Sequence, residues 1–82
     1  MSNLPEIATV SSRAGVSYIV IATPEFPDGA WWQLLDSMNG RVVSYGFVNG
    51  IGGCMRRAIQ AGKKAGRYRI KKYAAQKSID SL

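Results

Sequence analysis

The stretch RRAIQAGKKAGRYRIKKY, residues 56–73, decides the fold, because its first half reads as helix and its second half alternates like a strand. At 100° per residue, Cys54, Ala65, Ala58, Ile51, Gly62, Met55 and Ile59 share one face, and Lys63, Arg56, Gln60, Gly53, Lys64 and Arg57 share the other. That division predicts an amphipathic helix over Ile51–Ala65, with Asn49 as N-cap and Gly66 as the C-terminal stop. Beyond Gly66, Arg67–Tyr73 alternates. Tyr68 and Ile70 are expected to point towards the helix, and Arg67, Arg69, Lys71 and Tyr73 away from it. A helix running on through Gly66 would instead merge both sets of cations into one stripe.

Upstream the signals are those of a sheet. Val16–Thr23 (VSYIVIAT) is β-branched and aromatic and predicts a strand. Pro24–Gly29 (PEFPDG) reads as a loop. Ala30–Asp36 and Arg41–Val48 flank Asn39-Gly40, whose tolerance of positive φ marks a tight hairpin turn. Centring the turn there opposes Trp32 to Phe47, Leu34 to Tyr45 and Asp36 to Val43, and leaves Trp31, Gln33, Leu35, Val42, Ser44 and Val48 on the other face. Glu6–Arg13 is a candidate further strand turning at Ala14-Gly15. The expected fold is α+β: an antiparallel sheet of four or five strands in the order β-β-β-α-β, covered on one face by a single helix. One domain spans residues 1–82, with 1–15 as N-terminal segment or edge strand and 74–82 as short helix or tail.

At 82 residues and 46% hydrophobic content, the chain suits one small core and not a disordered segment. Cys54 is the only cysteine and histidine is absent, so neither an internal disulfide nor a Cys/His zinc site can form within one chain, and no metal or other cofactor is expected. Cys54 itself reads as a small core-filling residue. The longest apolar run, Tyr18–Ala22, is far short of the roughly 20 residues that span a bilayer. MSNLPEIATV lacks the pattern of a signal peptide, and a cytoplasmic protein without membrane contact is expected.

Catalytic constellations are missing. Without His, acid–base work would fall to five scattered carboxylates, Lys or Tyr, and no nucleophile elbow or phosphate-loop motif occurs. The chain is therefore expected not to be an enzyme. Asn49-Gly50-Ile51-Gly52-Gly53 could cradle an anion at a helix start, but it reads more simply as a tight connection.

Charge is the strongest functional signal. Eight of the eleven Lys and Arg lie between Arg56 and Tyr73, with no Asp or Glu among them, and the chain carries a net charge of +6. Such a block attracts acidic partners. The predicted elements divide it between the solvent face of the helix (Arg56, Arg57, Lys63, Lys64) and the open sheet face (Arg67, Arg69, Lys71, with Trp31 and Tyr73). Cations beside aromatics are the mixture with which single-stranded nucleic acids are bound. Because one helix covers only one face, Trp31, Leu35, Val42 and Val48 need another cover, either the N-terminal segment or a homodimer partner, or else they form an exposed docking patch rimmed by cations. Double-stranded RNA-binding domains also run three strands into a helix, but GIGGCMRRAIQA (residues 50–61) lacks their basic helix start.

The inferred architecture of residues 16–73 resembles small phage-encoded inhibitors such as anti-CRISPR proteins. That resemblance implies stoichiometric blocking of a host nucleoprotein complex in the host cytoplasm, by docking on an acidic protein face or on the complex. The alternative is a stand-alone nucleic-acid-binding domain.

Overall fold

The computed structural model describes residues 4–25, 27–50 and 53–80, with side chains through Tyr73. Strands β1 (Glu6–Ser11), β2 (Ser17–Glu25), β3 (Gly29–Asp36) and β4 (Val42–Asn49) precede a single helix, α1 (Cys54–Asp80). The strands form one antiparallel meander in sequence order, with β1 and β4 at the edges. The fold is α+β, and its order is β-β-β-β-α. Glu6–Ser11 supplies the strand anticipated near the N-terminus, and it turns into β2 through Ser12–Gly15, where Ser12 Oγ accepts the Ala14 and Val16 N–H groups. Pro24 and Glu25, expected in a loop, extend β2 instead. Pro24 opposes Ala30 on β3 but lies past the end of β1, so its missing N–H removes no ladder bond on that side.

The expected fifth strand does not form. Residues 67–73 continue α1 without a break, and the reason lies in the two glycines that punctuate the quoted stretch. Gly66 does not take the positive φ of a helix stop. It is buried, and a Cβ there would stand 3.3 Å from Leu34 Cδ1 and 3.4 Å from Val10 Cβ. One turn earlier, a Cβ on Gly62 would collide with Val20 Cγ1. Ala58, Gly62 and Gly66 therefore form a row of small residues at i, i+4 and i+8 that lets the helix backbone settle onto the sheet. The glycines serve close packing, not termination. The helix starts later than expected: Gly53, not Asn49, is the cap position, its carbonyl accepting the Arg57 N–H at 2.9 Å. Ile51 lies outside the described residues.

The core sits between α1 and one sheet face. Val20, Ala22, Ala30, Leu34 and Ala58 are wholly excluded from solvent, with Val10 and Tyr18 close behind. Ile59, Ala65 and Ile70 pack on the Val10–Tyr18–Val20–Leu34 group, while Met55 and Cys54 pack on the three alanines. Ile70 belongs to this core because it follows Ile59 by eleven residues, close to three helical turns.

The β3–β4 hairpin differs from its expected register by one residue. Trp31 opposes Phe47, Trp32 opposes Gly46 and Leu34 opposes Ser44, with a bulge beyond Leu34. The cause is the turn. Only Gly40 takes a positive φ (70°), where a type I′ turn needs two such residues. Asp36 Oδ1 accepts the Met38 N–H and Asn39 Oδ1 the Arg41 N–H, both side chains folding back on their own backbone. These bonds, with Gly40 N–H on the Asp36 carbonyl at 2.8 Å, hold Ser37–Gly40 as a four-residue loop. A one-residue slip inverts the facing of a strand. Phe47 and Tyr45 consequently join Trp31 and Gln33 on the open face, while Val48 and Ser44 turn towards the helix.

Candidate basic helix and groove

Helix α1 is longer than the sheet it covers. Its 27 residues span about 40 Å at 1.5 Å per residue, against roughly 26 Å for an eight-residue strand. It enters beside Ala22 and Ala30, crosses Val20 and then Leu34, and leaves past the end carrying the Ser12–Gly15 and Ser37–Gly40 turns. The change is visible in burial. Ala58, Gly62 and Gly66 are buried on the inner stripe, whereas Arg69 and Tyr73, on the same stripe further on, are exposed.

This geometry reunites the cations. Arg56, Arg57, Lys63, Lys64, Arg67, Arg69 and Lys71 all belong to α1, as does Lys72. None of Arg67, Arg69, Lys71 and Tyr73 lies on the sheet face that bears Trp31. The expected platform of Trp31 with those cations is absent because α1 covers the face opposite Trp31. Instead, two rows run along the helix at four-residue spacing. Lys63, Arg67 and Lys71 form an outer ridge, and Lys64, Tyr68 and Lys72 form a second ridge on the β4 side. Successive members of a row are about 6 Å apart along the axis. From Arg67 to Lys72 the cations leave only the side of Gly66 and Ile70 uncovered, where the helix packs on the core.

The second ridge borders a groove. Lys64, Tyr68, Arg69, Lys72 and Tyr73 from α1 line it with Tyr18 from β2, enclosing a volume of about 660 Å³. The Arg69 guanidinium carbon lies 6.0 Å from the centre of the Tyr18 ring, at the outer limit of a cation–π contact. Tyr68 is 66% and Tyr73 50% exposed, so both rings are open to a stacking partner. Tyr18, Tyr68 and Lys72 were not singled out from the sequence. The signal for two of them was the Lys64–Tyr68–Lys72 spacing, which has meaning only once the helix passes Gly66.

Most of the other charges follow the same axis. Arg13 and Arg41 occupy the exposed turn segments at the end over which α1 projects, with Asp36 beside them at the end of β3, whereas Glu6, Glu25 and Asp28 lie at the opposite end.

Among the described residues, no group of three or more His, Cys, Asp or Glu side chains could hold a metal ion. Cys54 is half-buried, its thiol directed at the Gly50 carbonyl with the Arg57 guanidinium 3.8 Å away. No described helix is long and apolar enough to cross a membrane. No family model matches the chain, and neither a curated protein nor a solved structure matches it.

Proposed function

We propose that this chain is a non-enzymatic nucleic-acid-binding protein of the cytoplasm, whose contact surface is the outer face of α1 and the groove beside it. The observation that carries the reading is the placement of eight cations, uninterrupted by an acid, along one helix that outruns its sheet. A polyanion with regularly spaced charges matches such a row better than a folded acidic protein, whose carboxylates are scattered. The phosphate backbone supplies affinity through counterion release. Tyr68 and Tyr73 add ring faces on which unpaired bases stack, a contribution largely independent of sequence.

The test is a titration of labelled single-stranded and duplex oligonucleotides over a range of salt. If four to six phosphates are neutralised, log K falls with log salt at a slope of about −4 to −5 on duplex, and somewhat less on single strands. Absence of binding at low salt would remove the proposal.

A second reading keeps the phage-inhibitor expectation, in which the chain blocks a host nucleoprotein complex stoichiometrically. The sheet face behind the cations, apolar but for Glu25 at a corner, favours it, since a protein partner could be gripped there while α1 reaches the complex's nucleic acid. Co-purification of a host complex that survives nuclease treatment, and is lost on Trp31→Ala, distinguishes this reading from simple nucleic-acid binding.

A further inference from the structure

The sheet face away from α1 is exposed and largely apolar. The pleat and the strand registers place Ile7, Ile19, Ile21, Trp31, Leu35, Val42, Tyr45 and Phe47 on it. Trp31 and Phe47 are directly opposed, their ring centres 4.8 Å apart at an angle of 52°. Trp31 is 43%, Phe47 44%, Tyr45 70%, Ile7 68% and Val42 47% exposed. Aromatic side chains carry about 150–250 Å² each, so the three rings alone expose roughly 350 Å². With the aliphatic residues the apolar area is on the order of 600 Å², at the upper limit of the largest patch on a typical monomer. Thr9, Thr23 and Gln33 bring the face towards the roughly 800 Å² per partner of a stable interface.

We infer that this face pairs with the same face of a second copy of the chain, giving a helix–sheet–sheet–helix dimer with both basic helices outside. Charge selects the occupant. Among the described residues, the strands present one charged side chain on this face, Glu25 at a corner, while the cations of α1 lie behind the sheet. A second copy carries the same +6, and this is the surface through which two copies meet without bringing their cations together. An anionic membrane is a poorer match, because lipid-binding surfaces rim their apolar face with Lys and Arg, and here those residues point the other way. An acidic partner finds no complement on the face at all.

Charge also selects the orientation. A two-fold axis lying across the strands sets the basic overhang of each copy beside the partner's acidic end, with Glu6, Glu25 and Asp28. The alternative axis, along the strands, would place both overhangs together. Two twisted sheets meeting face to face then pack within about 30° of alignment, as sandwich layers do. The pairing is independent of the ligand of α1, but it would give the particle two basic helices.

Gln33 supplies the test, because it is exposed near the middle of the face, between Ile21 and Tyr45, and contributes nothing to the core. Sedimentation equilibrium of the full chain is expected to return twice the 8.9 kDa chain mass. Gln33→Lys is expected to return the monomer mass, with unchanged circular dichroism, because it places two like charges inside the interface. Lys71→Gln, on the outer ridge, is expected to leave the dimer intact. A wild-type chain that stays monomeric at the highest attainable concentration overturns the inference. So does a dimer indifferent to Gln33→Lys, or a monomer that floats with phosphatidylserine-containing vesicles.

Discussion

Gly62 and Gly66 show how one residue type carries two messages that only packing separates. A glycine four residues after another, with an alternating segment behind it, has the form of a helix stop, and local sequence contains nothing against that reading. The contrary information is non-local: Val20, Leu34 and Val10 crowd the positions where Cβ atoms would stand. The two sites should respond differently to a methyl group. Val20 is fully buried and β-branched, so it cannot swing away from Ala at position 62. The overpacking cost of about 1–3 kcal/mol is offset by a helix-propensity gain of about 1 kcal/mol, and Gly62→Ala is expected to lower stability by up to about 2 kcal/mol. Gly66→Ala needs only a few tenths of an ångström from Leu34, so it is expected to be near neutral. Urea unfolding of both variants checks this, and equal destabilisation would mean that the helix does not approach closest at Gly62. Leu34→Ala, which empties the largest fully buried position, is expected to cost about 2–5 kcal/mol in the same assay.

At the scale of elements, the β2 strand, the β3–β4 hairpin and the first half of α1 were legible because each rests on local periodicity or turn chemistry. The hairpin register was not, because Asn39-Gly40 supports more than one loop and the carboxylate of Asp36 decides between them. The misplaced register mattered: it moved Phe47 and Tyr45 across the sheet and hid the extent of the apolar face. The candidate site was half legible. Its cations were evident from composition, but their common helix, and Tyr68 and Lys72 with it, depended on the fate of Gly66. The Lys64–Tyr68–Lys72 row now assigns separate roles that binding can resolve. Lys64→Gln is expected to weaken binding on every sequence and to reduce the magnitude of the salt slope by about 1, as loss of a phosphate contact does. Tyr68→Ala is expected to lower affinity for a single-stranded oligonucleotide about tenfold while leaving the slope unchanged, since stacking is worth about 1–3 kcal/mol per base and releases no counterion. A salt slope altered by Tyr68→Ala would place that ring in a structural role, not a stacking one.

For the whole molecule, the concentration of charge that suits a polyanion is a strain on the free protein. Lys63 and Arg67, and Arg67 and Lys71, are like charges four residues apart on one helix, while Lys64 and Arg67, and Arg69 and Lys72, are three apart. Such pairs each destabilise a helix by about 0.2–0.5 kcal/mol, which sums to roughly 1–2 kcal/mol along α1. Raising salt from 0.1 M to 1 M shortens the Debye length from about 10 Å to about 3 Å and removes most of that repulsion. Stability should therefore rise with sodium chloride, opposite to a surface held together by ion pairs. For a domain of this size about 1 kcal/mol corresponds to about 4–8 °C, so an increase of several degrees in Tm is expected. Thermal melts of the wild-type chain and of a Lys63→Gln/Lys71→Gln variant distinguish the cause: the variant should start higher at low salt and gain less on addition. The rise should persist in Gln33→Lys, where salt-strengthened association of the sheet faces no longer contributes. A Tm that falls with salt would mean that α1 is stabilised by attractive pairing, and the cation rows would then be partnered within the molecule, not held open for an external polyanion.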